Sequence, residues 1–178
     1  MKKIIVAVLG LLTAASLTGC MGTGTQLEKV STAEAPDANS VKASDYKNNL
    51  EGLEKYLTAL NYIPQKAEAT KMMYKVIGAK DGDRYNFSVN NSVVTVELYE
   101  YDPDTLGEDG KRVIDEVKKN GEFYVFDKSS KMDENVPYPA VLSDNSKYLV
   151  LYTDSSGDLD NVQRKADFQM AVKEFYKN

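Results

Sequence analysis

A run of alternating apolar and polar residues around two consecutive asparagines most constrains the fold of this chain. The run covers residues 84–102 and reads RYNFSVNNSVVTVELYEYD. Asparagine tolerates the positive φ angles of a two-residue hairpin turn, so Asn90 and Asn91 predict the turn. The pairs that follow are Val89 with Ser92, Phe87 with Val94 and Tyr85 with Val96. That register also puts one apolar set on a single face: Tyr85, Phe87, Val94, Val96 and Leu98.

Further strands are predicted in the second half of the chain. Residues 138–143 and 147–152 flank a turn at Asp144-Asn145 and predict a second hairpin. Residues 149–152 are apolar on both faces, which favours a central position in a sheet. Residues 122–127, EFYVFD, predict one more short strand, and residues 128–137 are polar and loop-like.

Helical spacing predicts helices between these strands. Ser44-Asp45 is a start signal for the first helix, and residues 65–77 form a second helical run. A third helix is expected to begin near Asp109 and to end at Asn120-Gly121. A last helix follows residues 154–160, and its predicted buried side is Leu159, Val162, Ala166, Phe168, Val172 and Phe175.

These elements together predict an α+β fold. The expected sheet is mainly antiparallel, with about five strands from two hairpins plus one strand, and with helices packed on one face. Residues 44–178 are expected to form a single globular domain. A domain of that length can bury enough apolar surface for a core without disulfides.

The composition restricts the chemistry available to the chain. It has 22 Lys and Arg against 27 Asp and Glu, a net charge of -5, so nucleic acid is not expected as a partner. The absence of histidine excludes Ser-His-Asp and Cys-His nucleophiles and His-ligated metals. A single cysteine excludes an internal disulfide and a thiolate metal cage. We therefore expect no cofactor and no resident metal.

The amino terminus has the features of a secretory signal. Lys2 and Lys3 precede an apolar stretch of 12 residues, Ile4 to Ala15. That stretch is shorter than the roughly 20 residues that span a bilayer, and it suits the core of a signal peptide. Small and neutral residues follow, and they end at the one cysteine, Cys20.

The four residues Leu17, Thr18, Gly19 and Cys20 match the lipobox of bacterial lipoprotein precursors. The resemblance covers about the first 20 residues. It implies that residues 1–19 are a lipoprotein signal peptide, and that Cys20 is acylated and becomes the first residue of the mature protein. A diacylglyceryl group would supply the two chains that stable anchoring needs. The implied location is the outer, extracytoplasmic face of the cell membrane.

The stretch after the cysteine predicts a tether. Residues 20–43 comprise the lipid-bearing Cys20 and a segment rich in small and polar residues, without helical or strand periodicity. The wider arrangement of lipobox, tether and tyrosine-rich hairpins resembles small uncharacterised lipoproteins of Gram-positive gut bacteria. That resemblance brings no known activity with it.

Two acidic clusters are candidate calcium sites. Asp102, Asp104, Glu108 and Asp109 crowd one loop, and Asp154, Asp158 and Asp160 crowd another. Neither has EF-hand spacing. Both lie where helices are predicted to begin, and at such positions Asp commonly caps the helix or forms part of a turn. Paired carboxylates also keep a glycoside hydrolase open as an alternative.

The tyrosines suggest a binding surface. Tyr99 and Tyr101 alternate with Glu97 on the face of their strand opposite the core residues. With Tyr124 or Tyr152 they are candidates for an exposed aromatic platform for a glycan or peptide. The alternative is that a helix covers this second face of the sheet.

Three functions remain open from the sequence. The leading hypothesis is a non-enzymatic, membrane-anchored lipoprotein that binds a protein, a peptide or a cell-wall component. The second is a small-ligand-binding lipoprotein associated with a transporter. The third is a histidine-free hydrolase based on carboxylates.

Overall fold

The structure is a computed structural model that describes residues 27–30, 40–126 and 136–177. The helices within these residues are α1 (Leu50–Ala59), α2 (Glu108–Asn120) and α3 (Leu159–Glu174). The strands are β1 (Lys29–Val30), β2 (Thr70–Lys71), β3 (Asp81–Val89), β4 (Ser92–Glu100), β5 (Glu122–Tyr124), β6 (Pro137–Pro139), β7 (Val141–Leu142) and β8 (Tyr148–Asp154). In this part of the chain no helix is both long enough and apolar enough to cross a bilayer.

The main sheet is mainly antiparallel. Its strand order is β1-β3-β4-β8-β7, and β2 joins the same edge of β3 as β1. The pairing of β1 with β3 is parallel, and the other pairs of this sheet are antiparallel. The predicted α+β class is confirmed. The predicted strand at 122–127 is β5, which pairs with β6 in a separate two-stranded sheet instead of joining the main one.

The predicted hairpin is confirmed in its register. Strands β3 and β4 pair Val89 with Ser92, Phe87 with Val94 and Tyr85 with Val96. The turn residues Asn90 and Asn91 have φ angles of 46° and 65°. Both values lie in the left-handed region, which asparagine enters more readily than most residues. The second hairpin, β7–β8, also forms, and β8 is interior to the sheet because it pairs with both β4 and β7.

Helices α1 and α3 cover one face of the main sheet. Asn49 caps α1, since its side chain accepts a hydrogen bond from the N–H of Gly52 at 2.9 Å. The core on this face joins both helices to the central strands. Its fully buried members include Leu53, Leu57, Phe87, Val94, Val96, Leu98, Phe168 and Phe175.

Helix α2 covers the other face, so the predicted placement of all helices on one face needs correction. Its buried residues Val113, Ile114 and Val117 pack with Tyr99 and Tyr101 of the opposite sheet face. A sheet with two apolar faces needs a cover on each. The continuous apolar run in β8 provides the second face, together with these two tyrosines.

The helix predicted over residues 65–77 is wrong. This segment contains β2, which pairs with the edge of β3, and a 3-10 turn over Tyr74–Ile77. Ile77 is buried whereas Met73 is 81 % exposed. Gly78, at φ 68°, ends the turn and lies against the backbone of Gly110 in α2. Sheet pairing and this close approach outweigh the local helical spacing.

Two described parts of the predicted tether contact the domain. Strand β1 pairs with Ser88–Val89 of β3, and Val41 and Ala43 pack against the core that holds α1 and α3. The chain from Ala43 to Asp45 forms a 3-10 turn, and α1 begins only at Leu50, after the Asn49 cap. Cys20 and the signal segment lie outside the described residues.

The buried side of α3 differs from the predicted one. Phe168, Val172 and Phe175 are buried as predicted, but Leu159, Val162 and Ala166 are exposed. Asn161 faces the sheet in their place: its side-chain amide donates to Asp154 Oδ2 at 2.8 Å and to the carbonyl of Val89 at 3.3 Å. These hydrogen bonds orient the start of the helix so that Asn161, and not the apolar residues, faces the sheet.

Candidate functional site

An open stretch in the edge of the main sheet is the first feature of the candidate site. The outer edge of β3 pairs with β2 at Asp83–Arg84 and with β1 at Ser88–Val89. Between these short partners, no strand in the described ranges pairs with β3 at Asn86 on this edge. The main-chain groups of alternate residues in a strand point to the same edge. On β3, the carbonyl of Gly82 and the N–H of Ser88 form hydrogen bonds across this outer edge. The main-chain groups of Asn86 therefore point outward too.

A cavity of about 400 Å³ lies at this gap. Its lining residues are Leu27, Glu28, Lys66, Ala67, Glu68, Thr70 and Asn86. The cavity is bounded on one side by β1, where the carbonyl of Glu28 accepts a hydrogen bond from the N–H of Ser88 at 2.8 Å. Carboxylates, an amine, a hydroxyl and an amide converge on it. Such a lining suits a polar ligand that carries charges of both signs, as a peptide does.

A polar half-face of the sheet adjoins the cavity. On β3 and β4 the side chains of Arg84, Asn86, Thr95 and Glu97 lie beyond the region that α2 covers, and they are exposed or half-buried. They are held in place across the strands: Arg84 Nε donates to Glu97 Oε1 at 2.9 Å, and Thr95 Oγ1 donates to Asn86 Oδ1 at 2.8 Å. This half-face and the cavity together are called the edge site below.

A cluster of ionisable groups lies next to the edge site along β2. Lys71 Nζ donates to Asp81 Oδ1 and to Asp83 Oδ2, at 2.8 Å each. Asp83 is only 6 % exposed and lies on the core-facing side of β3. Glu54 reaches the same place from α1, and no described group donates a hydrogen bond to its buried Oε1. A protonated Glu54 can instead donate to Asp83.

The protonation states in this cluster follow from burial and from the close charges. Burial and the hydrogen bond with Asp83 raise the pKa of Glu54 to about 7. Burial acts to lower the pKa of Lys71, but its hydrogen bonds to Asp81 and Asp83 dominate and raise it. Burial beside Glu54 also raises the pKa of Tyr85. Glu54 is therefore expected to gain and lose its proton near neutral pH.

The geometry of this carboxyl pair differs from that of a glycosidase. Glu54 and Asp83 are close enough to share a hydrogen bond, whereas paired glycosidase carboxyls stand about 5–9 Å apart with the substrate between them. Asp83 is buried and Glu54 is half-buried. It ties α1 to the sheet edge and does not form an open cleft.

The predicted aromatic platform is wrong. Tyr99 is 6 % exposed and Tyr101 is fully buried under α2. The hydroxyl of Tyr99 donates to Glu97 Oε2 at 2.8 Å, and the hydroxyl of Tyr101 donates to the carbonyl of Ile77 at 3.1 Å. Tyr152 is buried against the opposite core, and Tyr124 is half-buried on β5. Helix α2 covers this face of the sheet, which is the alternative that the sequence left open.

The two acidic clusters form turns and caps. Asp102 Oδ1 accepts from the N–H of Asp104 at 3.2 Å, and Asp158 Oδ1 accepts from the N–H of Asp160 at 2.9 Å at the start of α3. Asp154 accepts from Ser92 Oγ at 2.5 Å. Among the described residues, no three or more of the Asp, Glu, Cys and His side chains are grouped so that they could hold a metal ion.

Sequence reasoning missed the ionisable cluster, although one signal pointed to it. The predicted hairpin register extends to Asp83, which it places on the same face as Tyr85 and Phe87. A carboxylate in line with core residues requires a partner. The edge cavity had no such signal, because β1 and β2 are two residues long each and have no readable alternation.

Comparison of the chain with protein-family models, with curated proteins and with solved structures gave no match.

Proposed function

We propose that the chain is a membrane-anchored extracytoplasmic lipoprotein, acylated on Cys20, whose domain binds a partner without catalysing a reaction. The observation that carries the proposal is the motif Leu17-Thr18-Gly19-Cys20 behind an apolar stretch of 12 residues. The sole thiol of the chain is at the position where such precursors are acylated. Two acyl chains hold a water-soluble body at a bilayer firmly.

The edge site lies close to the proposed anchor. Leu27, which lines the cavity, is seven residues after Cys20. Seven residues span at most about 25 Å when fully extended. The β1 side of the sheet would therefore stay near the lipid surface, where cell-envelope polymers and membrane proteins are its neighbours.

The edge site supports a peptide, a protein segment or a cell-wall peptide as the partner. The main-chain groups of Asn86 point outward at the gap between β1 and β2, and they can bond an extended main chain. Glu28, Lys66 and Glu68 place charges of both signs around it. Binding of this kind needs no group that moves protons or forms bonds.

Cell fractionation tests the anchor. The full chain and its Cys20→Ser variant are expressed in the native host with a radiolabelled or alkyne-bearing fatty acid. The parent is expected in the membrane fraction with the label, whereas the variant is expected without label and out of that fraction. Equal labelling and equal retention of the two proteins would contradict the proposal.

Site-specific photo-crosslinking in cells tests the partner site. A benzophenone amino acid replaces Glu68 or Asn86 at the edge site, and in a control it replaces Lys118, an exposed residue of α2. Adducts with a protein or a cell-wall peptide are expected from the two edge positions and not from the control. Adducts at the same level from all three positions, or from none, would contradict a macromolecular partner here.

A small polar ligand is the second candidate. The volume of the cavity, about 400 Å³, lies in the range of small-molecule sites. A lipoprotein serving a transporter would use such a cavity for its solute. Absence of macromolecular adducts, together with a rise in the melting temperature when amino acids or short peptides are added, would favour this second function.

A further inference from the structure

Three charged side chains around the edge cavity have no ionic partner in the described part of the chain. Glu28, Lys66 and Glu68 line the cavity and are exposed. None of these side chains forms a hydrogen bond or an ion pair with another residue of the described ranges. All charged residues of the adjoining strands β2 and β3, by contrast, have an ionic partner: Lys71, Asp81, Asp83 and Arg84. The cavity lining therefore offers charges that a ligand can pair.

The two carboxylates of the lining lie on opposite sides of the gap at Asn86. Glu28 is on the β1 side, where its carbonyl accepts a hydrogen bond from the N–H of Ser88 at 2.8 Å. Glu68 comes from the other side, two residues before β2. Continuing the antiparallel register of β2 with β3 by two residues places Glu68 opposite Asn86. The two carboxylates can therefore bind two separate cationic groups.

A short turn places the ammonium group of Lys66 at the same cavity. The N–H of Ala67 donates to the carbonyl of Pro64 at 3.0 Å, and Ala67 packs against the core that holds α1 and α3. These contacts fix the main chain between Lys66 and Glu68. Together with Leu27, Ala67 also adds apolar surface to the lining, which suits the aliphatic stem of a ligand.

The lining has two carboxylates and one ammonium group, and this count restricts the ligand. A ligand that pairs all three carries two ammonium groups and one carboxylate. A neutral amino acid would leave one carboxylate of the lining unpaired, and a diamine would leave Lys66 unpaired. An anion would meet two like charges. The cavity volume of about 400 Å³ is near the lower end for small-ligand sites, so it suits one amino acid or a short peptide.

We propose that the edge cavity binds a diamino carboxylic acid, either free, as lysine is, or as the amino-terminal residue of a short peptide. Glu28 and Glu68 each accept hydrogen bonds from one ammonium group of the ligand, and Lys66 donates to its carboxylate. The inference rests on the proposed function in one respect, because it takes the edge site as the place where the domain holds its partner. It does not depend on the lipid anchor.

Titration with three compounds that share one aliphatic stem tests this charge pattern. L-lysine has both ammonium groups and the carboxylate, L-norleucine lacks the side-chain ammonium group, and cadaverine lacks the carboxylate. The isotope-labelled full chain with Cys20→Ser is followed by NMR at the main-chain amides of Glu68 and Asn86. Lysine is expected to bind about fivefold more tightly than either analogue, which is the size of one exposed ion pair.

The dipeptide lysyl-alanine distinguishes the two sources of the ligand. It keeps both ammonium groups and one carboxylate, but the carboxylate lies farther along the chain. Tighter binding of the dipeptide than of lysine would support a peptide as the ligand. Tighter binding of lysine would support the free amino acid.

Variants of the lining test the location. Glu28→Gln and Glu68→Gln are each expected to weaken lysine binding about fivefold and to reduce the preference for lysine over norleucine. Lys66→Gln is expected to remove the preference for lysine over cadaverine. Glu174→Gln, at an exposed position of α3, is the control and is expected to bind as the parent does. The amide spectrum without ligand shows that each variant is folded.

The outcomes separate this inference from the proposed function. Equal affinities for lysine, norleucine and cadaverine, or unchanged lysine binding in all three lining variants, would overturn the diamino carboxylic acid as the ligand. Failure of lysine and lysyl-alanine to bind, with photo-crosslinked partners still found at positions 68 and 86, would overturn this inference alone. Absence of both would overturn the edge site as well. Because Cys20 is replaced, failure of acylation changes none of these results.

Discussion

Glu54 is expected to control the pH dependence of stability. Its pKa is raised in the fold to about 7, above the usual value of 4.5, because it is buried beside Asp83. A carboxyl with a raised folded-state pKa binds more protons folded than unfolded, so stability falls as pH rises through the window of about 4.5 to 7. The chain has no histidine, so few other side chains titrate there.

The first prediction concerns Glu54→Gln. The parent is expected to lose about 1–2 kcal/mol of unfolding free energy between pH 5 and pH 8, a figure discounted for the solvent that reaches the carboxyl. The variant is expected to lose much less, because glutamine has no proton to release. Urea unfolding at each pH measures the loss.

The matched control for that measurement is Glu51→Gln. Glu51 lies one turn earlier on α1, and its hydrogen bond with Lys55 lowers its pKa, so it titrates below this window. Its variant should keep the slope of the parent. A slope that is equally steep in Glu54→Gln would show that another group is responsible.

Gly52, the one glycine of α1, is expected to tolerate no larger residue. A Cβ added at Gly52 would lie 1.8 Å from the main-chain oxygen of Lys47, so the chain that leads into the helix would have to move. Gly52→Ala is therefore predicted to cost more than about 2 kcal/mol. Gly157→Ala, whose Cβ would meet nothing within 4 Å, is the control. Similar thermal midpoints for the two variants would contradict the close approach.

At the scale of elements, the Asn90-Asn91 turn is expected to hold the β3–β4 hairpin. Asn91 has a φ of 65°, which costs an alanine about 1 kcal/mol and costs glycine nothing. Asn91→Ala is predicted to be destabilised by about that amount, and Asn91→Gly is predicted to be as stable as the parent. Chemical unfolding measures both variants. Equal losses in both would contradict a role for the backbone angle.

The elements also show how far the sequence predicts the fold. The hairpin was predictable because its turn residues and its alternation are local and agree with each other. The side of α3 that packs inward was not, because the helix has two apolar faces. The choice between them is made by Asn161 and Arg164, which bond to carbonyls that are distant in sequence: that of Val89 for Asn161 and that of Asn61 for Arg164.

The segment before the first hairpin also shows that contacts distant in sequence can override a local pattern. Residues 65–77 have the spacing of a helix, yet Thr70 and Lys71 pair with β3. The ion pairs of Lys71 with Asp81 and Asp83 join this strand to β3. The edge site depends on the same non-local contacts. The hairpin register could place Asp83 on the core side, but spacing alone could not locate the cavity or Glu54 as the partner of Asp83.

At the scale of the whole molecule, the sheet separates two different layers. Helices α1 and α3 cover one face, and α2 covers part of the other. The uncovered half-face and the cavity lie on the β3 edge, where β1 leads back toward Cys20. In the proposed arrangement, the anchor and the edge site face the membrane side.

Mass spectrometry of the protein extracted from the membranes of its native host is the sharpest test of acylation at Cys20. Acylation predicts an amino-terminal peptide that begins at Cys20 and carries the mass of a diacylglyceryl group. A peptide that still begins at Met1, or one that contains Cys20 with an unmodified thiol, would contradict it.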